Sequence, residues 1–398
     1  MGYRILIVTS LFPNAFGDRE GNFIYYSAKA LTEAGNSVYV LVVRSWLRKI
    51  FETLCKGRRY QQVNADIFSE LELVKEVGCF NIPRYFFLNV SRFLLKLRLK
   101  RMMYEIVKTR NIDIISVHGL NIGHVVLSLS RKIDVPVILT IHGIDTSDRL
   151  LNTANKRKIC TSTLKNVNRV ILVGDVLKSY FAMLCKDTNN FRVIPNGYYL
   201  PESLRSCAGR KFRGKLRFIS ISNLHREKGI DLNLKALASL DNEGVYDWEY
   251  QIIGDGNERK RLERLRGELG LDKKIYFYGY LSHTDALRHL EKSNIFILPS
   301  YREAFGIAYL EAMAAGLLAV GVEGQGSSAF IKNGITGYLI PPQNVDALCC
   351  IFRCIKDNPD EAARIAAAGR KIVQKEFTWE KHARKLMSLY SEILEKLK

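Results

Sequence analysis

Two doubly wound α/β domains joined by a short polar linker are predicted by three features of this 398-residue chain. Short β-branched runs alternate with stretches of helical period, and that alternation occurs twice. The runs are also apolar throughout, without in–out alternation, as suits strands of a parallel sheet covered on both faces. Length agrees, because one hydrophobic core seldom supports so long a chain.

Taken in order, residues 3–9 (YRILIVT), 37–43, 112–117, 135–141 and 169–174 read as the strands of the first half. The polar stretch 201–215 (PESLRSCAGRKFRGK) is the join. Residues 216–222, 250–254, 274–279, 294–299 and 317–322 read as the strands of the second half, with helices over 257–269 and 284–292 among them. The last segment, 377–398, is helical, with Trp379, Leu386, Leu389, Ile393 and Leu394 as an apolar stripe. The expected organisation is a first domain over 1–205, a second over 206–376, and a terminal helix 377–398 that packs back toward the first domain.

Composition narrows the function classes. The chain is 47% hydrophobic and 25% charged, which is globular and excludes a disordered or collagen-like polymer. No apolar run reaches the roughly 18–20 residues that cross a bilayer, and the opening MGYRILIVTSLFP lacks the pattern of a signal peptide. The eight cysteines include no C-x-x-C pair and read as reduced thiols, which points to the cytosol. The formal charge of +20 is lopsided: residues 1–215 hold 34 basic against 16 acidic side chains, the remainder 26 against 24. Such asymmetry implies an anionic partner for the first half. A basic, Phe- and Leu-rich insert within 44–110 carries part of it. On a helical wheel Phe86, Phe87, Val90, Phe93, Leu94 and Leu97 form one face, with Arg92, Lys96 and Lys100 mostly opposite. Two readings stay open for this insert, an ordinary core helix with a solvated face or a surface that meets anionic lipid.

Chemistry is expected beyond the carboxyl ends of the strands, where open parallel sheets bind ligands. Strand 294–299 runs into PSYREAFGIAYLEAMAAG, which places Glu303 in a loop, Gly306 at a helix start and Glu311 inside that helix. The free amides from about Phe305 to Ala308 suit an anion, and the carboxylates suit sugar hydroxyls because they only accept hydrogen bonds. A phosphate between two sets of hydroxyls describes a nucleotide-sugar. The loop ISNLHREKGID brings Asn223, Arg226 and Lys228 to another helix start, where the cations would neutralise a diphosphate. A third loop holds Gly254 and Gly256, which is weak as a nucleotide signal without the full G-x-G-x-x-G. A glycine-rich turn, EGQGSS, follows at 323–328.

The succession NLxxxKG, GDG, PSxxExFGxxxLEAMAxG and GxGxxxxIxxGxTGYLxPP resembles the family-4 retaining glycosyltransferases of the GT-B fold, over nearly the whole chain. The opening TSLFPN with its G-x-F, and the GQG turn, are most similar to the bacterial polysaccharide-assembly branch. The resemblance implies two Rossmann-like domains facing across a cleft, and a donor site in the second. Glu303 would hold hydroxyls of the donor sugar, backbone at Phe305, Gly306 and Ile307 would meet sugar and phosphate, and Glu311 would accept from the ribose. Lys228 matches the diphosphate lysine. Where the family carries an arginine this chain has Asn223, so Arg226 is expected to supply the second positive contact. From the first domain, Gly17 and Gly21 would approach the phosphates. His142 and Asp145 of the HGID segment, with His118, would end strands toward the same cleft, His142 as a catalytic group and His118 and Asp145 on the acceptor side.

The implied reaction moves a hexosyl unit from a UDP- or GDP-sugar to a glycan acceptor, lipid-linked, with the anomeric configuration kept and without a metal or other cofactor. The expected partners are that donor, that acceptor and an anionic membrane surface, and not nucleic acid. The expected location is cytoplasmic, with a peripheral position on the inner face of the cell membrane. Rival readings are a sugar-nucleotide epimerase of the same fold, an inactive paralogue, and a basic nucleic-acid-binding protein. The last lacks any helix-turn-helix, zinc-finger or RNP-type signature.

Overall fold

The computed structural model describes residues 2–14, 18, 21–45, 63, 68–79, 88–130, 133–143, 153–185, 187–205, 210–244 and 247–397. The chain forms two compact units, Met1–Asn196 with Trp379–Lys398, and Gly197–Thr378.

The first unit is built on a seven-stranded parallel sheet in the order β3-β2-β1-β4-β5-β6-β7. Its strands are β1 (Arg4–Thr9), β2 (Ser37–Ser45), β3 (Leu73–Cys79), β4 (Ile114–His118), β5 (Val137–Ile141), β6 (Arg169–Leu172) and β7 (Phe191–Val193). The helices between them are α1 (Asn22–Glu33), α2 (Leu88–Arg110), α3 (Leu120–Ser130), α4 (Ala154–Asn166) and α5 (Asp175–Ala182). Strands such as IISVH and VILTI are buried at every position, as two-sided cover requires.

The second unit repeats the plan with six parallel strands in the order β10-β9-β8-β11-β12-β13. They are β8 (Leu216–Ile221), β9 (Trp248–Ile253), β10 (Ile275–Gly279), β11 (Ile295–Ile297), β12 (Leu318–Val322) and β13 (Tyr338–Ile340). The helices here are α6 (Ile230–Asn242), α7 (Arg259–Glu268), α8 (His283–Glu291), α9 (Ile307–Ala314), α10 (Val345–Asp357) and α11 (Pro359–Glu376). The last helix, α12 (Trp379–Glu395), belongs to the first unit, where Ala383, Leu386, Leu389, Tyr390 and Ile393 join the core against α1 and one face of the sheet. Its apolar side recurs at helical spacing, so one stripe is buried and the opposite side is charged.

Three strands escape the sequence reading. β3 (LVKEVGC) carries two charges and lies at a sheet edge, while β7 and β13 are three residues each, too short to show a period. The basic helix α2 is also placed differently from expectation. Leu97 is exposed, and the buried stripe is Leu99, Met103, Ile106 and Val107, facing α3 and β3. That stripe keeps the i, i+4, i+7 spacing but starts two residues later, so the described part of α2 is a core helix with a solvated basic face. The remainder of the expected apolar face, with Arg92, lies outside the residues whose side chains are described.

Candidate functional site

In the second unit the chain turns from β8 outward to β9 on one side, and from β11 to β12 on the other. The carboxyl ends of β8 and β11 therefore flank the point where strand order reverses, the usual ligand position in an open α/β sheet. The loop after β8 carries Asn223, Arg226 and Lys228, and the loop after β11 carries Glu303, Phe305 and Gly306. Two bonds lace these loops: Tyr301 N donates to Glu227 O at 3.0 Å, and Ser300 Oγ donates to the same oxygen at 3.2 Å.

Lys228 Nζ lies 2.8 Å from Glu303 Oε2, with both side chains 16% exposed. The ion pair thus joins the two loops through the side chains expected to serve sugar and diphosphate. Lys228 closes a one-turn 3-10 helix, Arg226–Lys228, whose other cation, Arg226, is exposed along with Asn223. Behind Glu303, its own N–H donates to Gln325 Oε1 at 3.1 Å, and Gly326 N donates to Glu303 O at 2.9 Å. The GQG turn is therefore the brace of the acidic loop.

Gly306 caps α9 with φ 91°, and no side chain caps the helix. Glycine is required here because a Cβ at this φ would also stand 2.7 Å from the Tyr309 ring. The helix thus opens its first-turn amides, Ile307 among them, to an acceptor from outside. Phe305 offers only backbone, since its ring is buried against Phe330 and Phe377.

One turn into α9, Glu311 is 6% exposed. His283 Nε2, from the first residue of α8, lies 2.7 Å from its Oε1. Ser282 holds His283 in place by capping α8, accepting from Asp285 N at 3.1 Å.

Gly254 and Gly256 have a packing role. A Cβ on Gly254 would stand 1.7 Å from Ser222 O, and one on Gly256 2.3 Å from Leu224 O. Their loop lies directly on the loop after β8, where Leu224 N donates to Asp255 O at 3.0 Å. These glycines thus shape the Lys228 loop from behind.

In the first unit, His118 ends β4 and His142 follows β5, side by side in the sheet. His118 Nδ1 and His142 Nε2 are 2.8 Å apart, with ring centroids 5.0 Å apart and the ring planes within 9° of parallel. A third imidazole, His382 of α12, bonds Ser27 Oγ at 2.9 Å and donates from Nδ1 to Pro195 O at 2.8 Å. Burial first, then the nearby His382, pushes the His118 pKa down to about 3. Burial brings His382 to about 4, and burial with His118 and His382 holds His142 well below 6.5. All three rings are therefore neutral near pH 7, as a bond between two imidazoles requires, one nitrogen donating and the other accepting. His118 was expected on the acceptor side. It is 7% exposed beneath α12, with Nδ1 on His142 and Nε2 3.4 Å from Ser116 Oγ. Gly21 caps α1 with its backbone against Phe12. Gly17 and Asp145 lie outside the described residues.

The sequence reading missed His283, Gln325 and His382. Ser282 before an apolar-periodic run signals a helix start that would have exposed His283. Gln325 and His382 carry no local signal. Among the described residues no group of three or more His, Cys, Asp or Glu is placed to hold a metal ion, and no helix is long and apolar enough to cross a membrane.

Comparison with known proteins bears on the family and the fold. Residues 208–372 match the family described as Glycosyl transferases group 1, and residues 21–200 match Glycosyltransferase Family 4. A Mycobacterium tuberculosis glycogen synthase is 24% identical over 411 residues, covering 97% of this chain and 94% of its own. The amylovoran biosynthesis glycosyltransferase AmsK of Erwinia amylovora is 30% identical over 188 residues, 46% of this chain and 45% of that one. Among solved structures, sucrose-phosphate synthase from Thermosynechococcus elongatus superposes with TM-score 0.76 at 19% identity, over 99% of this chain and 100% of that one. Anabaena HepE in complex with UDP and glucose superposes with TM-score 0.73 at 16% identity, over 98% and 99%. Two parallel Rossmann-like sheets of this order, with these matches, define a glycosyltransferase of the GT-B fold. The chain belongs to the family-4 glycosyltransferases, whose two family regions together span residues 21–200 and 208–372.

Proposed function

We propose that the chain is a retaining hexosyltransferase that takes its sugar from a UDP- or GDP-linked donor and passes it to a lipid-linked glycan in surface-polysaccharide assembly. The observation that carries this reading is the Lys228–Glu303 pair at 2.8 Å beside the uncapped start of α9, with buried Glu311 one turn further on. That arrangement provides, from two neighbouring loops and one helix, acceptors for sugar hydroxyls, a cation with free amides for phosphate, and an acceptor for ribose. UDP, and in another crystal UDP-glucose, bound to the Anabaena neighbour support a uridine donor. The amylovoran enzyme, together with a neighbour titled lipopolysaccharide outer core galactosyltransferase, supports the glycan acceptor. The excess of basic residues over 1–215 supports an acceptor that carries phosphate.

In the proposed reaction the bond from C1 to the diphosphate oxygen breaks while a bond from C1 to the acceptor oxygen forms on the same face. The acceptor's proton passes to the departing phosphate. The diphosphate gains negative charge in that step, and Lys228, Arg226 and the α9 amides are the groups assigned to stabilise it without a metal ion. Glu303 orients the sugar through its hydroxyls. His142 is the catalytic group assigned to the first unit, its tautomer set by His118.

A panel of UDP- and GDP-sugars read by thermal shift tests the reading, since a ligand at 100 times its Kd adds about 2.7 kcal/mol to stability. The stabilisation is expected with one nucleotide series, to vanish in Glu311→Ala, and to survive in Glu303→Gln while turnover is lost. Wild-type kinetics in both variants would remove the site assignment. Conversion of donor with no acceptor present would indicate an epimerase.

A further inference from the structure

We propose that His283 is a positioning residue for Glu311, and that the pair sets the preference of the site for a ribose over a 2′-deoxyribose. The inference rests on the donor-site reading above and extends it to a residue on a different helix. The two side chains come from opposite flanks of the site. His283 begins α8, after β10, and Glu311 lies in α9, after β11. His283 Nε2 is 2.7 Å from Glu311 Oε1, and the side chains are 12% and 8% exposed. A carboxylate has no proton to give, so the imidazole must donate through Nε2–H. Oε1 is then engaged by the histidine, and Oε2 is the oxygen the proposal assigns to a ribose hydroxyl. A ring anchored at a capped helix start has little freedom, whereas a glutamate has three rotatable bonds. His283 therefore removes the rotamers in which Glu311 would turn from the ribose.

Charge adds to geometry. A mostly buried carboxylate without a donor is costly to keep ionised. The bond from His283 supplies that donor at Oε1. Tyr199, whose ring centroid is 5.9 Å from that of His283, packs on the histidine from the start of the same unit and limits the ring's swing.

The test measures calorimetric binding of UDP and 2′-deoxy-UDP, or of GDP and 2′-deoxy-GDP if guanosine is the nucleotide that binds. Four variants are compared with the wild type: Glu311→Ala, His283→Ala, His283→Gln and His283→Asn. Gln presents an N–H where His283 has Nε2, and Asn presents one where it has Nδ1, so only Gln can rescue. His283→Ala is expected to weaken UDP binding 10- to 100-fold, the range for losing a hydrogen bond to a charged group. It should also bring the UDP to 2′-deoxy-UDP ratio close to one. His283→Gln should recover most of both, and His283→Asn neither. If His283→Ala does not fold, the Gln and Asn variants decide alone. Weak UDP binding in Glu311→Ala with wild-type affinity and ribose preference in His283→Ala or His283→Asn overturns this inference alone. Equal losses in Gln and Asn with an unchanged ribose preference also overturn it, because that is what a merely structural histidine would give. Wild-type UDP binding in Glu311→Ala overturns the donor-site reading itself.

Discussion

Replacing Lys228 with methionine keeps an unbranched stem one atom shorter and removes the charge, leaving Glu303 facing an apolar group inside a site where both side chains are 16% exposed. At about 4 Å and an effective dielectric of about 20, two unit charges attract by about 4 kcal/mol. Desolvation of the two groups cancels much of that, so the intact pair adds little net stability. Breaking the pair is different, because the remaining carboxylate keeps its desolvation cost and loses its partner. Fully buried pairs lose about 3–5 kcal/mol in that way, and partial exposure here lowers the expectation to about 2–3 kcal/mol. Lys228→Met should therefore destabilise the second unit by that amount, and Glu303→Gln by somewhat less. The double variant should recover part of the loss, with a coupling energy of about 1–2 kcal/mol. The cycle is best read on the calorimetric transition of the second unit, since a chain of two units need not unfold in one step. Turnover should be lost in all three variants. A coupling energy indistinguishable from zero, or full transferase activity in Lys228→Met, would refute the argument that these two groups form one functional unit.

Two further outcomes follow from the packing. Gly254→Ala forces a Cβ to within 1.7 Å of Ser222 O at φ 133°, so the loop after β8 must move. Strain and overpacking together should cost about 3 kcal/mol, and UDP affinity should fall though no donor contact is removed; a variant as stable as the wild type would show that the loop can yield. The histidine cluster makes the first unit acid-sensitive. His118 and His382 titrate near 3 and 4 when folded, with His142 also depressed, whereas an unfolded histidine titrates near 6.5. As pH falls below about 6.5 the unfolded chain takes up protons that the native state refuses, so stability is full above that pH and drains toward pH 4, at up to roughly 4 kcal/mol per pH unit for three groups. His118→Asn should reduce that slope by about one proton, and a denaturation midpoint flat from pH 7 to 5 would contradict the burial argument.

Much of the framework was legible because its cause is local. Apolar runs such as LRFISI and IISVH report two-sided burial wherever they occur, and a Gly beside Lys228 or before Ile307 reports a helix start with its own few residues. Glu303 and Glu311 could be named for the same reason, since both are placed by a single strand–loop–helix segment. The strands that went unread are a charged edge strand and two of three residues, in which neither period nor composition has room to accumulate. The offset of the buried stripe on α2 was equally out of reach, because a helical wheel shows that a face exists and not which neighbour claims it.

The sequence by itself determined the two parallel sheets, the family, and the residues that one strand–loop–helix segment holds close together. Only the tertiary structure decided who stands beside them. Lys228 meets Glu303 across 75 positions of chain, His283 meets Glu311 across 28, and Ser27 meets His382 across 355. The reason is physical: a helix start or a buried strand is set by forces between near neighbours. Which two side chains share a hydrogen bond depends on strand order and helix docking, and those emerge only when the whole sheet is assembled.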